Sequence, residues 1–147
     1  MKRRIEDILS TDGIYVSPTM GVSMRPMLRQ GCDRIIVVPV TGRLKRYDVP
    51  LYRRGKDYVL HRIVKVRPDD YVVLGDNCLA KEYVRDEQII GVLTAFYRGT
   101  HYVTVRNPFY RLYAAAWQLT HPLRLAAARF RHLRSALYRR LKGKNNQ

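Results

Sequence analysis

Cysteine, acids in the last quarter of the chain, and long apolar runs are all scarce. Two cysteines, Cys32 and Cys78, in 147 residues are too few for a disulfide framework, and no metal-type spacing accompanies them. They read as reduced thiols in or near a core. The longest weakly polar stretch near the C-terminal end, Leu112 to Leu119, contains Gln118 and falls far short of the ~18–20 residues a spanning helix needs. The basic opening Met1-Lys2-Arg3-Arg4 runs into Ile5-Glu6-Asp7 rather than an apolar segment, so it does not read as a signal peptide. The expected location is the cytoplasm. From residue 107 to residue 147 there are nine Lys/Arg and no acid, while the rest of the chain carries 19 basic and 12 acidic side chains. The net charge of +16 is therefore concentrated in a tail that calls for an anionic partner.

What is present is a pattern of short strands. Hydrophobic content of 46% in a chain of this length can bury a core, most simply in one domain. Ile5, Ile8 and Leu9 lie at helical spacing, which predicts a short amphipathic N-terminal helix within residues 1–12. From residue 13 to residue 106 the signal is β. Strands are expected at 14–16, at the β-branched run 34–39, at 47–53, at 58–66, at 71–74, at 89–94 and at 102–105. Pro50 argues for an edge or a bulge in the third of these. The run 58–66 is the longest, and alternation puts Val59, His61, Ile63 and Lys65 on one face and Arg62 on the other. Residues 78–90 read as a polar excursion carrying Glu82. Strands joined by hairpin turns, with no long helices between them, predict an antiparallel, mainly β core.

One loop stands out, Gly21-Val22-Ser23-Met24-Arg25-Pro26-Met27. Glycine permits a turn that a side chain would hinder, and proline fixes its own φ at the exit. Ser23 thus sits on a constrained loop. A serine hydroxyl needs a base, a neutral imidazole serves near pH 7, and an acid can fix the imidazole tautomer. His61 supplies the imidazole; Asp76 or Glu82 supplies the acid. Spacing alone does not choose between this constellation and a plain turn serine, a strand histidine, an Asp that caps a turn and a surface Glu. His101, His121 and His132 have no partners at useful spacing.

Four motifs, Gly21-Val22-Ser23-Met24-Arg25-Pro26-Met27-Leu28, Leu60-His61-Arg62-Ile63-Val64, Leu74-Gly75-Asp76-Asn77 and Ile89-Ile90-Gly91-Val92, resemble in order and interval the S24/S26 peptidases. That family includes type I signal peptidases and LexA-like self-cleaving repressors, and the resemblance spans roughly residues 14–97. It implies an S24/S26 β core with Ser23 as nucleophile, on a loop that includes Gly21 and Met24. Where many members carry a lysine base this chain has His61, which is similar to the archaeal and endoplasmic-reticulum signal peptidase branch. That branch uses an acid in Gly-Asp-Asn and another six residues on; Asp76 matches the first, and Glu82 replaces Asp at the second. Glu82 is the favoured third member, Asp76 its rival, and Lys65 the fallback base. Gly21 also departs from the family, where many members have a serine. The implied substrate is a peptide or protein, with no metal and no cofactor.

Beyond Asn107-Pro108 the period becomes helical. A segment from 108 to 119 is broken at Thr120-His121-Pro122, and a second helix follows. Leu119, Leu123, Ala126, Phe130, Leu133, Leu137 and Leu141 form one stripe of it, with arginines off the stripe. Such a stripe can pack on the β core. The tail, residues 107–147, can equally rest on an anionic membrane surface with Trp117, Tyr113 and Phe130 near the interface, making the protein peripheral at the inner face. Nucleic acid is the least expected partner, because no base-reading element accompanies the charge. The functional expectation is a serine endopeptidase; the alternative is an inactive peptide-binding or membrane-associated module of the same fold.

Overall fold

A computed structural model describes residues 3–144. The chain is mainly antiparallel β, with one short helix before the strands and two after them. Helix α1 (Ile5–Asp12) ends at Gly13, whose φ of 71° gives the left-handed cap that glycine adopts without strain. It buries Leu9 and leaves its charged residues outside.

The long strand β8 (Ile89–Arg98) is the spine of the larger sheet. One of its edges carries β2 (Arg34–Val38), which in turn pairs with β1 (Tyr15–Pro18). The other edge carries β3 (Pro50–Arg54) against the start of β8 and β9 (His101–Thr104) against its end. The outermost strand is β4 (Asp57–Leu60), a hairpin partner of β3. In β2 the side chains of Ile35 and Val37 turn inward and are buried; each contributes roughly 1.5–3 kcal/mol by leaving water. Pro50 opens β3 beside a register shift at Leu51/Tyr52. There a residue without an N–H costs the ladder little.

The expected long strand 58–66 is two strands. Its first part is β4; its second, β5 (Arg62–Val66), belongs to a separate three-stranded sheet with β6 (Tyr71–Leu74) and β7 (Glu82–Val84). His61 is the residue between them, where the chain leaves one sheet for the other. A further register shift between Ile63 and Lys65 breaks the alternation again. Lys65 therefore does not share a face with His61 in a continuous strand, and it is exposed. The excursion 78–90 also holds structure, namely β7 and a 3-10 turn at Asp86–Gln88.

Two apolar clusters result. One gathers Met24, Met27, Leu28, Val37, Leu93 and Phe96; the other lies around Tyr52, Ile63, Tyr71 and Val73. Helix α2 (Pro108–Leu119) starts at Asn107, whose Oδ1 accepts from the N–H groups of Phe109 and Tyr110. Its Tyr110 and Ala114 are buried against the strands. Helix α3 (His121–Lys144) follows directly after Thr120, with Pro122 in its first turn. The apolar stripe does not pack on the body: Leu119, Leu123, Phe130 and Leu133 are 67–75% exposed. The side chains of Leu137 and Leu141 lie outside the described residues. Trp117 and Tyr113 are turned the other way, into the molecule, and are not at an outer interface. Among the described residues no helix is long and apolar enough to cross a membrane.

Candidate active site

Gly21 has a φ of 77°, in the left-handed region that glycine accepts, and the chain turns there into the Ser23 loop. Met24 and Met27 are buried and anchor the loop from below, while the Leu28 N–H donates to the Met24 carbonyl at 3.0 Å and closes one helical turn. Ser23 is half-buried at the mouth of this turn. Its backbone carbonyl accepts from the Asn77 N–H at 2.7 Å, and Asn77 Nδ2 donates to the Val22 carbonyl at 3.3 Å. The serine loop and the Gly-Asp-Asn loop are thus tied together by backbone bonds.

Gly75 sets how close they come. A Cβ at this position would lie 2.8 Å from the Ser23 carbonyl oxygen, 3.0 Å from His61 Nε2 and 2.7 Å from Cys78 Sγ. The Ser23 backbone carbonyl and the Nε2 edge of His61 therefore face the same small space, which only glycine leaves open.

The other edge of the imidazole is fully engaged. His61 is buried. Its Nδ1 lies 3.1 Å from the Tyr52 hydroxyl, and that hydroxyl donates to Glu82 Oε2 at 3.0 Å. Tyr52 has one proton, and an ionised carboxylate only accepts. With that O–H donated to Glu82, Nδ1 is left to be the protonated nitrogen and donates to the Tyr52 oxygen. The tautomer leaves the lone pair on Nε2, on the Gly75 and Ser23 side. Glu82 Oε1 is 3.5 Å from Nδ1, beyond a good hydrogen bond, and is held by Arg54 Nη1 at 2.9 Å. Burial pushes the His61 imidazole below its ordinary value, against the opposing effect of nearby Glu82. The ring is neutral at pH 7, as a proton acceptor must be. Burial, reinforced by Glu82, raises the Tyr52 hydroxyl and the Cys78 thiol, so Tyr52 keeps its proton and Cys78 is not a thiolate nucleophile.

Of the residues singled out from sequence, His61 and Glu82 are joined through Tyr52, and the backbone of Ser23 comes close to His61 Nε2 beside Gly75; among the described residues no hydrogen bond links the Ser23 hydroxyl to the imidazole. Asp76 stands beside them in a different role. Its carboxylate accepts from Arg62 Nε at 2.9 Å and Nη2 at 2.8 Å, and from the Tyr113 hydroxyl at 2.9 Å. Both side chains of the Arg62–Asp76 pair are fully buried. Arg62 also donates to the Tyr110 hydroxyl at 3.0 Å. The Asp76 carbonyl accepts from Trp117 Nε1 at 2.7 Å and Arg124 Nη1 at 2.8 Å, and Arg124 stacks over the Trp117 ring at 3.9 Å. The Gly-Asp-Asn loop, which Asn77 ties to the Ser23 loop, is therefore clamped from behind by α2 and α3. Sequence reasoning misses Tyr52 and Arg62 here, and it expects Tyr113 and Trp117 at a membrane interface rather than behind Asp76. Arg62 carried the clearest signal, since an arginine within a β-branched run needs a buried carboxylate. Lys65 makes no contact with this site among the described residues; it lies at a separate cleft with Val64 and Leu74. No cluster of three or more metal-ligating side chains occurs among the described residues.

No protein-family model matches this chain, and no curated protein matches it.

Proposed function

We propose that this protein is a serine endopeptidase of the S24/S26 type, cleaving a peptide or protein substrate through Ser23, His61 and a Tyr52–Glu82 relay. The observation that carries the reading is the saturation of His61 Nδ1 by Tyr52 while Nε2 faces the Ser23 loop across Gly75. In the proposed reaction Nε2 takes the Ser23 proton as Oγ attacks the scissile carbonyl. The imidazolium then returns that proton to the leaving amine, and an ester at Ser23 remains. Water, deprotonated by the same nitrogen, hydrolyses the ester. Glu82 stabilises the transient imidazolium through Tyr52, the role of an orienting acid. Backbone N–H groups of the serine loop are the natural donors for the oxyanion.

The test is cleavage of a peptide library, read by mass spectrometry, with wild type, Ser23→Ala and His61→Ala side by side. Products formed by wild type and absent from both variants support the reading. Identical products from Ser23→Ala overturn it. Peptides bound but uncut by wild type point to the non-catalytic module of the same fold.

A location at an anionic membrane surface is the second part of the proposal, favoured by the outward apolar stripe. Leu123, Phe130 and Leu133 face away from the body and arginines 129, 131 and 134 lie on the same helix, with no acid. Co-sedimentation with phosphatidylglycerol vesicles, unchanged in Phe130→Glu/Leu133→Glu, would sink this part.

A further inference from the structure

Away from Ser23, the open face of the small sheet meets the α2–α3 corner in a cleft of about 500 Å³. Val64, Val72 and Leu74 form its floor. Its rim carries Arg46, Lys65, Arg67 and Lys81, and no acidic side chain is among the lining residues. Arg67 is partly engaged: it stacks over Tyr83, and its Nε lies 3.1 Å from Asp70 in a contact that lacks hydrogen-bond alignment. Lys65, Lys81 and Arg46 form no ion pair among the described residues. Like charges so placed repel one another and gain by sharing an anion.

The corner adds a second observation. Gln118 and His121 both line this cleft, and the Nε2 atom of each lies beneath its surface with no hydrogen-bond partner among the described residues. Buried polar atoms are seldom left unpaired, and each unmet one is a cost that a ligand can remove. Gln118 offers an amide N–H. His121 rests against the Cys78 backbone, and burial, then Arg124 and Lys81, holds its imidazole below the ordinary value. The first turn of α3 begins at His121, and its partial positive charge likewise favours an anion.

We infer that this cleft is a binding site for a phosphate monoester group, held by Lys65, Lys81, Arg46 and Arg67 and capped by Gln118 and His121. Four cations around one cleft suit a dianion with three outward oxygens better than a single carboxylate. The volume leaves room for what the phosphate is attached to. Lys81 adjoins Glu82, and Leu74 adjoins Gly75, so an occupied cleft braces the segment from Gly75 to Glu82 at both ends. The inference does not depend on the peptidase reading.

The phosphate can come from solution or from a lipid headgroup, and two measurements on the full chain separate these sources. The first is calorimetric titration with sodium phosphate at constant ionic strength. The second is co-sedimentation with phosphatidylcholine vesicles containing either phosphatidic acid, a monoester, or phosphatidylglycerol, a diester. Lys65→Gln/Lys81→Gln alters two exposed side chains and leaves the core intact. Arg129→Gln/Arg131→Gln removes the same charge outside the cleft. Saturable phosphate binding that weakens about tenfold or more in the lysine variant alone supports a soluble ligand. A preference for phosphatidic acid that is lost in the lysine variant alone supports a lipid headgroup. Wild-type protein that shows neither behaviour, or variants that weaken equally, overturn the inference.

Discussion

The Tyr52 hydroxyl stands 3.1 Å from His61 Nδ1, and the two rings meet edge to face at 66°. In the proposed mechanism the acid that orients the imidazole therefore acts at one remove, through a phenol. Tyr52→Phe keeps the packing and deletes the link. Nδ1 then loses its acceptor, and Glu82 Oε1, at 3.5 Å and bonded to Arg54, replaces it poorly. Peptide cleavage should fall on the order of 10–100-fold, by analogy with the cost of losing the partner that orients a metal-bound histidine. Melting of the variant should stay close to wild type. Full activity in Tyr52→Phe would show that Glu82 reaches the histidine without help.

The pH profile carries a related signature. His61 has an imidazole value lowered by burial, with Arg54 acting in the same direction and Glu82 and Asp76 against it. Its neutral, proton-accepting form thus persists below the ordinary value of 6.5. Cleavage by wild type should hold level from neutrality down past pH 6.5 and decline only below it. The stability sign agrees: the unfolded chain binds the proton first, so stability is lost as pH falls from 6.5 toward the folded-state value. An acidic limb at or above 6.5 would contradict the burial argument.

Gly75→Ala tests the meeting point of the two loops. The added methyl would lie 2.8 Å from a backbone carbonyl and 3.0 Å from His61 Nε2, so the loops must part. Activity should drop severely, with the β content of the circular dichroism spectrum unchanged. Adding Cys78→Ala should not restore it, because removing the thiol leaves the Ser23 carbonyl in place. Rescue by the double variant would mean that the sulfur contact alone mattered.

The parts of this arrangement differed in how readable they were. Ser23, His61 and Glu82 could be named only through the resemblance carried by the four motifs, because nine acids and several hydroxyls lie between residues 13 and 106 and spacing does not choose among them. Tyr52 could not. It lies on β3 and reads as one more aromatic in a strand, and only the fold brings its hydroxyl between His61 and Glu82. The strand at 34–38 was legible from its β-branched run, expected over 34–39. The run 58–66 was misjudged at His61, where the chain changes sheets and alternation on one side says nothing about the other. That break turns Arg62 inward toward Asp76. The apolar stripe of the second tail helix was visible, but periodicity does not say which side of a helix meets the body. Here the inner face is made of His121, Arg124, Leu125 and Ala128, all partly buried.

Asp76 is expected to matter for stability rather than for proton transfer. Its carboxylate and the Arg62 guanidinium are both wholly out of water, and the pairing outweighs the burial that disfavours the arginine's charge. Asp76→Asn keeps the shape and leaves a buried cation without its counter-charge, which typically costs about 3–5 kcal/mol. Urea unfolding should register that loss, together with weaker docking of α2, since Tyr113 donates to the same carboxylate. Replacing both partners, as in Arg62→Met/Asp76→Leu, removes the unpaired charge and should be less damaging than either single change. If Asp76→Asn instead unfolds at the wild-type urea midpoint yet abolishes cleavage, Asp76 belongs to the catalytic set and Glu82 does not act alone.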